Sequence, residues 1–301
     1  MAEIDTKTLN KPQKLPHTEE RTKTGNKRSI LQIEKTISFE FVRHGMKSIT
    51  MFIFSFSIYA MFLIIQIMQE NKGAVAPDDP AIYFKNYLLM IDFLILIIAS
   101  TFGGSIIAED FDKQTGNLLF PKITKDRLLV GRIIARYIYA IGAVFFYYIL
   151  IAITTFIKYE AVPKIVWGSM GWAFLYTFAL LSFVTLFSSF MKRTSSATIT
   201  SILIILIVFQ LLSMILMFTG VKVEPLFILT YYANIITSWF NMPADDKRFS
   251  EISFNRGPAS DGNTYRQWIT PSATGAIIGM LVYSAICLII AYLVFRRRQN
   301  K

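Results

Sequence analysis

The sequence has little charge, one cysteine and two histidines. Asp, Glu, Lys and Arg make up 17% of the 301 residues, while 53% of the residues are hydrophobic. Soluble domains carry roughly 25% charged residues. The charges sit in short blocks between long uncharged runs, and the mean hydropathy is +0.46. This pattern excludes a soluble globular enzyme, a disordered chain and a coiled coil, and it is typical of a polytopic helical membrane protein.

The scarce residue types also limit the chemistry that the apolar runs can perform. The single cysteine, Cys287, excludes an intramolecular disulfide and a cysteine metal cluster. His17 and His44 both lie outside the apolar runs, which removes a serine–histidine pair and a histidine-ligated metal from the membrane. The sequence contains no G-x-x-x-x-G-K-[ST] phosphate loop. We therefore expect no catalytic residue, no metal and no bound cofactor in this chain.

Six segments reach the length of about 20 mostly apolar residues that a spanning helix needs. They cover residues 48–68, 87–108, 137–157, 165–190, 194–221 and 272–295. The N-terminal segment, the second and fourth loops and the C-terminal tail hold 22 of the 31 basic residues. Because basic residues concentrate on the cytoplasmic side, both termini are predicted to be cytoplasmic. The predicted fold is an all-α membrane protein with six transmembrane helices over residues 48–298.

The N-terminal part is predicted to lie outside the membrane core. Residues 1–28 are polar, contain no apolar signal-peptide core and are predicted to form a disordered cytoplasmic tail. Over residues 29–47, Ile30, Ile33, Ile37 and Phe41 recur at helical spacing. This spacing predicts an amphipathic helix along the inner membrane surface, or a cytoplasmic helix that packs on a partner.

An external loop is predicted over residues 222–271, between the fifth and sixth spans. Its residues 226–243 are apolar, but a seventh span would place Arg296–Arg298 outside, against the charge rule. We therefore predict an external re-entrant or interfacial helix there. Residues 244–266 are polar and contain turn signals, and they could form a small cap.

Asp92 is the only carboxylate inside a predicted span. It lies about 8 Å from the predicted outer start of its helix at a rise of 1.5 Å per residue. It could contact a substrate or ion, or it could be hydrogen-bonded to a neighbouring helix or to interfacial water. Met214 and Met217 share a helix face in the fifth span. They could be soft copper ligands, but we expect them to be packing residues.

The second loop has the most informative pattern. An acidic turn follows the second span, Gly116 can end a helix and Pro121 blocks its continuation. Thr124 can then cap a new short helix that runs through Arg127. Such a helix between two spans can transmit a push from a soluble partner. The alternative is an ordinary basic loop that follows the positive-inside rule.

This stretch resembles the permease subunits of ABC exporters in the ABC-2-type superfamily, which have the type V exporter fold. Members show an acidic residue, a T/S-G-x-L turn, a proline, a polar residue followed by Arg, and a G-K/R pair. The matching residues are Glu109, Thr115-Gly116-Asn117-Leu118, Pro121, Thr124, Arg127, Gly131 and Arg132. The likeness covers roughly residues 30–298, with Arg132 where lysine is commoner.

The resemblance implies a mechanism and partners. Two permease subunits, identical or similar, would pair with two ABC ATPase subunits, which bind ATP and Mg²⁺. The matching residues, together with Lys125, are expected to couple the spans to the ATPase. The second and fifth spans are expected to line the translocation path, where this chain offers Ser100, Thr101, Phe209, Gln210, Met214 and Met217. The lipid bilayer of a prokaryotic plasma membrane is the expected surrounding, with no role for nucleic acid.

Two other classes of function remain open from the sequence. One is a secondary carrier or channel that works without ATP. The other is a membrane anchor or sensor that binds a partner through its external loop. The substrate and the direction of transport are not specified by the residues themselves.

Overall fold

The structure is a computed structural model that describes residues 25–73, 75–112, 125–219, 224–243, 248–253 and 264–298. Long helices dominate these ranges. In chain order they are α1 (Gly25–Asn71), α2 (Pro80–Tyr87), α3 (Ile91–Gly103), α4 (Ala108–Asp112), α5 (Lys125–Tyr159), α6 (Ile165–Phe190), α7 (Thr194–Leu203), α8 (Phe209–Thr219), α9 (Asn234–Ser238) and α10 (Ala273–Arg298). Strands β1 (Phe249–Ser253) and β2 (Thr264–Trp268) pair antiparallel, with Glu251 opposite Arg266.

Six segments of the described chain are long and apolar enough to cross a membrane, which confirms the predicted fold class. They are Leu31–Asn71, Pro80–Gly103, Asp126–Tyr159, Ile165–Phe190, Thr194–Leu216 and Ala273–Arg298. The predicted tail lies mostly outside the described residues. The two short strands were not predicted, because residues 244–266 were interpreted only as a polar cap with turns.

Helix α1 differs from its prediction. The predicted surface helix and the first span form one uninterrupted helix of 47 residues, about 70 Å long. Residues 31–47, which we call the N-terminal arm, therefore belong to the same helix as the first span and pack along α5. The sequence predicted two elements divided at residue 47, whereas the structure has no break there.

The second span begins earlier than predicted. Asp79 caps helix α2 by accepting a hydrogen bond from the Ala81 backbone at 2.8 Å, and Pro80 takes the first helical position. A 3₁₀ turn, Leu88–Met90, links α2 to α3. Asp92 is consequently residue 13 of the 24 in this span. This earlier start was missed from the sequence because the cap at Asp79 was not recognised.

The third and fifth spans also differ from the single α-helices that the sequence predicted. Helix α5 runs without a break from Lys125 to Tyr159, so the residues predicted to form a short helix at Lys125–Arg127 belong to the same helix as the third span. In the fifth span, a π-helical segment, Ile204–Val208, separates α7 from α8. A π-segment changes which side chains face a neighbour and often lies at a functional site. Here it precedes Gln210 on the cavity described below.

The predicted helix at residues 226–243 is a run of short helical turns. They comprise Leu229–Ala233, Asn234–Ser238 and Trp239–Asn241, which are too short to cross a bilayer. We call residues 224–243 the cap. It rests on two glycines, since a Cβ at Gly168 would overlap the Trp239 ring and a Cβ at Gly279 would overlap the Tyr232 hydroxyl.

The bundle has two distinct ends around a buried centre. Helix α6 is the most deeply buried spanning helix and packs against α3 and α10. We call the end that holds the N-terminal arm, α4 and the start of α5 the arm end. The end that carries the cap is the cap end. The groups with functional potential lie at these two ends.

Candidate functional site

The arm end contains a cluster of buried charges. Its six most buried side chains are only 1–4% exposed, and they come from α1, α4 and α5. They are Glu40, His44, Glu109, Asp110, Arg132 and Arg136. We call this group, together with the half-buried Arg43, the ion cluster. Charged residues are rarely buried unless they are paired, so the contacts within the cluster decide whether the site is stable.

Arg136 is the centre of the ion cluster. Its Nη2 atom lies 3.0 Å from Oε2 of Glu40, 3.1 Å from Oε2 of Glu109 and 2.9 Å from Nε2 of His44. Its Nη1 atom donates to the Phe102 carbonyl at 3.2 Å. A single guanidinium therefore joins the N-terminal arm to the end of the second span.

Arg132 makes a second, bidentate link one turn earlier on α5. Its Nη1 and Nη2 atoms lie 2.5 Å and 2.8 Å from the two carboxylate oxygens of Asp110. Its Nε atom donates to Glu40 at 3.2 Å, and Nη1 also donates to the Ile106 carbonyl at 3.1 Å. Bidentate arginine–carboxylate pairs restrain the relative orientation of the two side chains and also bind more strongly than single contacts.

The charges of the ion cluster balance. Arg43 contacts Glu109 at 3.2 Å and Glu40 at 3.8 Å, which completes three arginines against three carboxylates. The formal charges of these six groups cancel, and Nε2 of His44 lies 3.2 Å from Glu40 and 3.4 Å from Glu109. Its buried charges are thereby compensated, which is the condition under which such groups are tolerated away from water.

A helix interruption after the second span leaves backbone groups that need hydrogen-bond partners from other segments. Helix α3 ends at Gly103, and residues 104–107 form a turn before α4. The Ser188 hydroxyl of α6 accepts from the Ile107 and Ala108 amides at 3.1 and 2.9 Å and donates to the Gly104 carbonyl at 2.8 Å. The turn therefore has partners from α6, as buried backbone groups require.

Close packing joins the N-terminal arm to α5 beside the ion cluster. A Cβ built on Gly131 would lie 2.9 Å from Cβ and Cγ2 of Thr36, so only glycine fits there. One turn earlier, Nη1 of Arg127 donates to Oε1 of Gln32 at 2.6 Å. The two helices are thus held together by shape as well as by charge.

The predicted coupling residues fall into three groups. Glu109 and Arg132 lie inside the ion cluster, and Gly131 and Arg127 lie at the contact between α5 and the N-terminal arm. Lys125 begins α5, but its side chain lies outside the described residues. The other three, Gly116, Pro121 and Thr124, also lie outside them.

The cap end contains a cavity of about 550 Å³. It lies between α3 and the fifth span, and the cap and Trp268 cover part of it. Its lining includes Asp92, Gln210 and Met214, all of which are exposed to the cavity or its mouth. A volume of this size is within the range of small-molecule sites.

The other residues predicted for the translocation path lie elsewhere. Ser100 is buried near α7, where its carbonyl accepts from Thr198 at 3.3 Å. Thr101 donates to the Ile97 carbonyl of its own helix at 2.8 Å. Phe209 packs on Phe183, with ring centroids 5.5 Å apart. The Met217 side chain lies outside the described residues.

The cap side of the cavity is held by a polar triad. Oε1 of Glu224 accepts from the Tyr231 hydroxyl at 3.1 Å and from Nη1 of Arg248 at 2.9 Å. The Arg248 guanidinium lies over the Trp268 ring, 5.7 Å from its centroid. Burial, reinforced by Glu224, raises the pKa of Tyr231 above its ordinary value, so this hydroxyl remains a donor.

Several residues of both sites were not identified from the sequence. Glu40, Arg43 and Arg136 are not among the residues that the sequence analysis singled out. The available signal was the spacing of Arg132 and Arg136, which puts two cations on one face of α5. Their shared partner Glu40 is 92 and 96 positions away in the chain, and their other carboxylate partners are 22 and 27 positions away, so the pairing itself had no local signature.

Comparison with known protein families identifies the chain. Residues 16–299 match the sequence model of a family described as ABC-2 family transporter protein. No curated protein matches the chain. The match covers nearly all of the sequence, including every described helix and both ends of the bundle. The chain therefore belongs to the ABC-2 transporter family and is a multi-pass membrane permease of an ABC transporter.

Proposed function

We propose that this permease exports its substrate with energy from a separate ATPase subunit that docks at the arm end. In the working assembly, two ATPase copies and two permease subunits come together, and the arm end faces the cytoplasm. ATP and Mg²⁺ bind to the ATPase and not to this chain. The observation that carries the proposal is the ion cluster, because it ties three transmembrane segments into one movable unit.

The ion cluster can transmit a displacement without being deformed. Breaking a buried ion pair by removing one partner costs about 3–5 kcal/mol, since the other charge is left uncompensated. Arg132 and Arg136 each pair with carboxylates on two other segments, α1 and α4. A push on the N-terminal arm or on the start of α5 is therefore passed to the second span.

The second span connects the two ends of the molecule. It carries Asp92 on the cavity at the cap end and continues through the turn to Glu109 and Asp110 in the ion cluster. Movement of this segment at the arm end changes its fit against α6 and the fifth span, and hence the shape of the cavity. This is the sequence of contacts by which ATP-driven closure of the ATPase pair would open or close the path.

Purification from the native host in mild detergent, with mass spectrometry of bound proteins, tests the proposed partnership. We expect a P-loop ATPase at near-equal stoichiometry. The direction is tested in inverted membrane vesicles, where an exporter accumulates its substrate when ATP is added. A chain that purifies alone, and whose transport follows an ion gradient without nucleotide, would instead establish a secondary carrier.

A further inference from the structure

Asp92 is an exposed carboxylate in the middle of a spanning segment. It lines the cavity at the cap end, and of the sixteen described residues that form the lining it is the only charged one. Its neighbours on the lining include Tyr176, which lies within electrostatic range of the carboxylate. Ionisable groups at such depth are costly and generally mark a pathway or a counter-ion site.

The surrounding protein does not neutralise this charge. Among the described residues, Asp92 takes part in no salt bridge, and no basic residue lines the cavity. The Arg248 guanidinium lies over the ring of Trp268, a lining residue, but Arg248 is paired with Glu224 at 2.9 Å. The described part of the cavity thus contains one carboxylate group and no basic side chain to pair with it.

Aromatic and apolar groups make up much of the remaining lining. Phe93, Tyr176, Tyr231 and Trp268 contribute rings, and Gln210 adds an amide. Aromatic faces attract cations, and this attraction grows when water is excluded. A carboxylate among aromatic rings favours a bulky organic cation, while it disfavours an anion of the same shape.

We propose that the cavity at the cap end binds an organic cation with an apolar body, with Asp92 as its counter-charge. The binding of the cation does not depend on the proposed transport function. Only the interpretation of the cavity as a substrate site rests on that function. The site takes a quaternary phosphonium or ammonium group, or a protonated amine, on a hydrophobic scaffold. A cavity of about 550 Å³ accommodates ligands of drug-like size.

Two ions of the same shape and opposite charge provide the test. The full-length permease is placed in lipid nanodiscs, and binding of tetraphenylphosphonium and of tetraphenylborate is measured by equilibrium dialysis. Binding to empty nanodiscs is subtracted. We expect saturable binding of the phosphonium cation only. We expect Asp92→Asn to weaken that binding by about tenfold or more, as loss of one favourable charge interaction predicts.

Two further variants serve as controls. Asp92→Glu keeps the charge and is expected to retain most of the binding. Glu70→Gln removes a carboxylate at the same end of the bundle, where Glu70 pairs with Lys158 outside the cavity, and should leave phosphonium binding unchanged. Equal binding of both ions by the wild type, or an Asp92→Asn protein that binds phosphonium within twofold of the wild type, overturns the proposal.

The wild-type comparison decides the question even if a variant fails to fold. The dialysis experiment needs no ATPase, so its result is independent of the proposed partnership. Co-purification with an ATPase together with no preference for the cation would support the proposed transport function and contradict the cation site. Binding of the cation by a permease that purifies alone would contradict the ATPase partnership and support the site.

Discussion

At the scale of single residues, Arg136 makes polar contacts with several segments at once, which no pattern in the sequence predicts. It is 1% exposed and donates to carboxylates on two segments and to the last turn of α3. Arginine suits this position because its planar fork has five donors and stays charged. Lysine would supply a point charge that cannot reach all of these acceptors.

Replacing Arg136 should therefore destabilise the protein strongly. Arg136→Gln leaves Glu40 and Glu109 buried with one cation fewer, and we expect a loss of about 3–5 kcal/mol in the free energy of unfolding. The midpoint of thermal unfolding in detergent measures the effect. The exposed Arg193 is a suitable comparison, since Arg193→Gln should change stability by less than about 0.5 kcal/mol.

A compensating substitution checks the physical reason. Adding Glu40→Gln to Arg136→Gln removes one of the uncompensated carboxylates, so the double variant should lose less stability than the sum of the two single variants. Simple additivity would show that the pairing between these two residues contributes little.

At the scale of elements, α5 joins two segments that the sequence suggested were separate. The predicted short helix and the third span are continuous because the only helix-weakening residue between them, Gly131, fits against Thr36. Glycine here serves close approach of two helices, not a break. The N-terminal arm and the start of α5 thus form a paired extension of the first and third spans.

The fit at Gly131 predicts opposite effects at two glycines of the same helix. Gly131→Ala places a methyl group 2.9 Å from Thr36 and should destabilise the protein by about 1–3 kcal/mol. Gly142→Ala meets only Cζ of Phe52 at 3.8 Å, so the gain in helix propensity should stabilise by about 0.5–1 kcal/mol. Thermal unfolding of both variants measures the difference. Similar shifts in both would contradict the tight contact with the arm.

Coupling to the ATPase can be separated from the contact between α5 and the arm. The double variant Lys125→Glu, Arg127→Glu reverses two charges at the start of α5 and should abolish stimulation of ATP hydrolysis by substrate in the reconstituted transporter. Because Arg127 also binds Gln32, Gln32→Leu serves as the control that removes the 2.6 Å contact without changing charge. Unchanged stimulation in the double variant, or equal loss in the control, would argue against a role in coupling.

At the scale of the whole molecule, the six spans were predictable and the two sites were only partly so. Apolar runs are local, so the fourth and sixth spans were placed to within three residues. The first, second and third apolar helices begin earlier than predicted, at Leu31, Pro80 and Asp126. Glu109, Arg132, Gln210 and Met214 were named beforehand, from the family resemblance. The ion cluster and the cavity depend on contacts between distant segments and on the π-segment, which one sequence does not reveal.

The orientation of the whole chain remains a prediction with a direct test. Cys287 is buried and is the single cysteine, so Cys287→Ala gives a background for new labels. In that background, Asp78→Cys at the cap end should react with a membrane-impermeant maleimide in intact cells. Arg193→Cys at the arm end should react only after permeabilisation. The reverse pattern would place the arm end outside and exclude an ATPase partner there.

The charge balance of the ion cluster has a consequence for how the transporter responds to voltage. Moving one elementary charge through the full membrane potential involves about 2.3 kcal/mol per 100 mV. The three arginines and three carboxylates carry equal and opposite formal charges, so these six groups add no net gating charge when they move together. They should therefore give the motion no voltage dependence, and its proposed source of energy is ATP hydrolysis by the partner subunit.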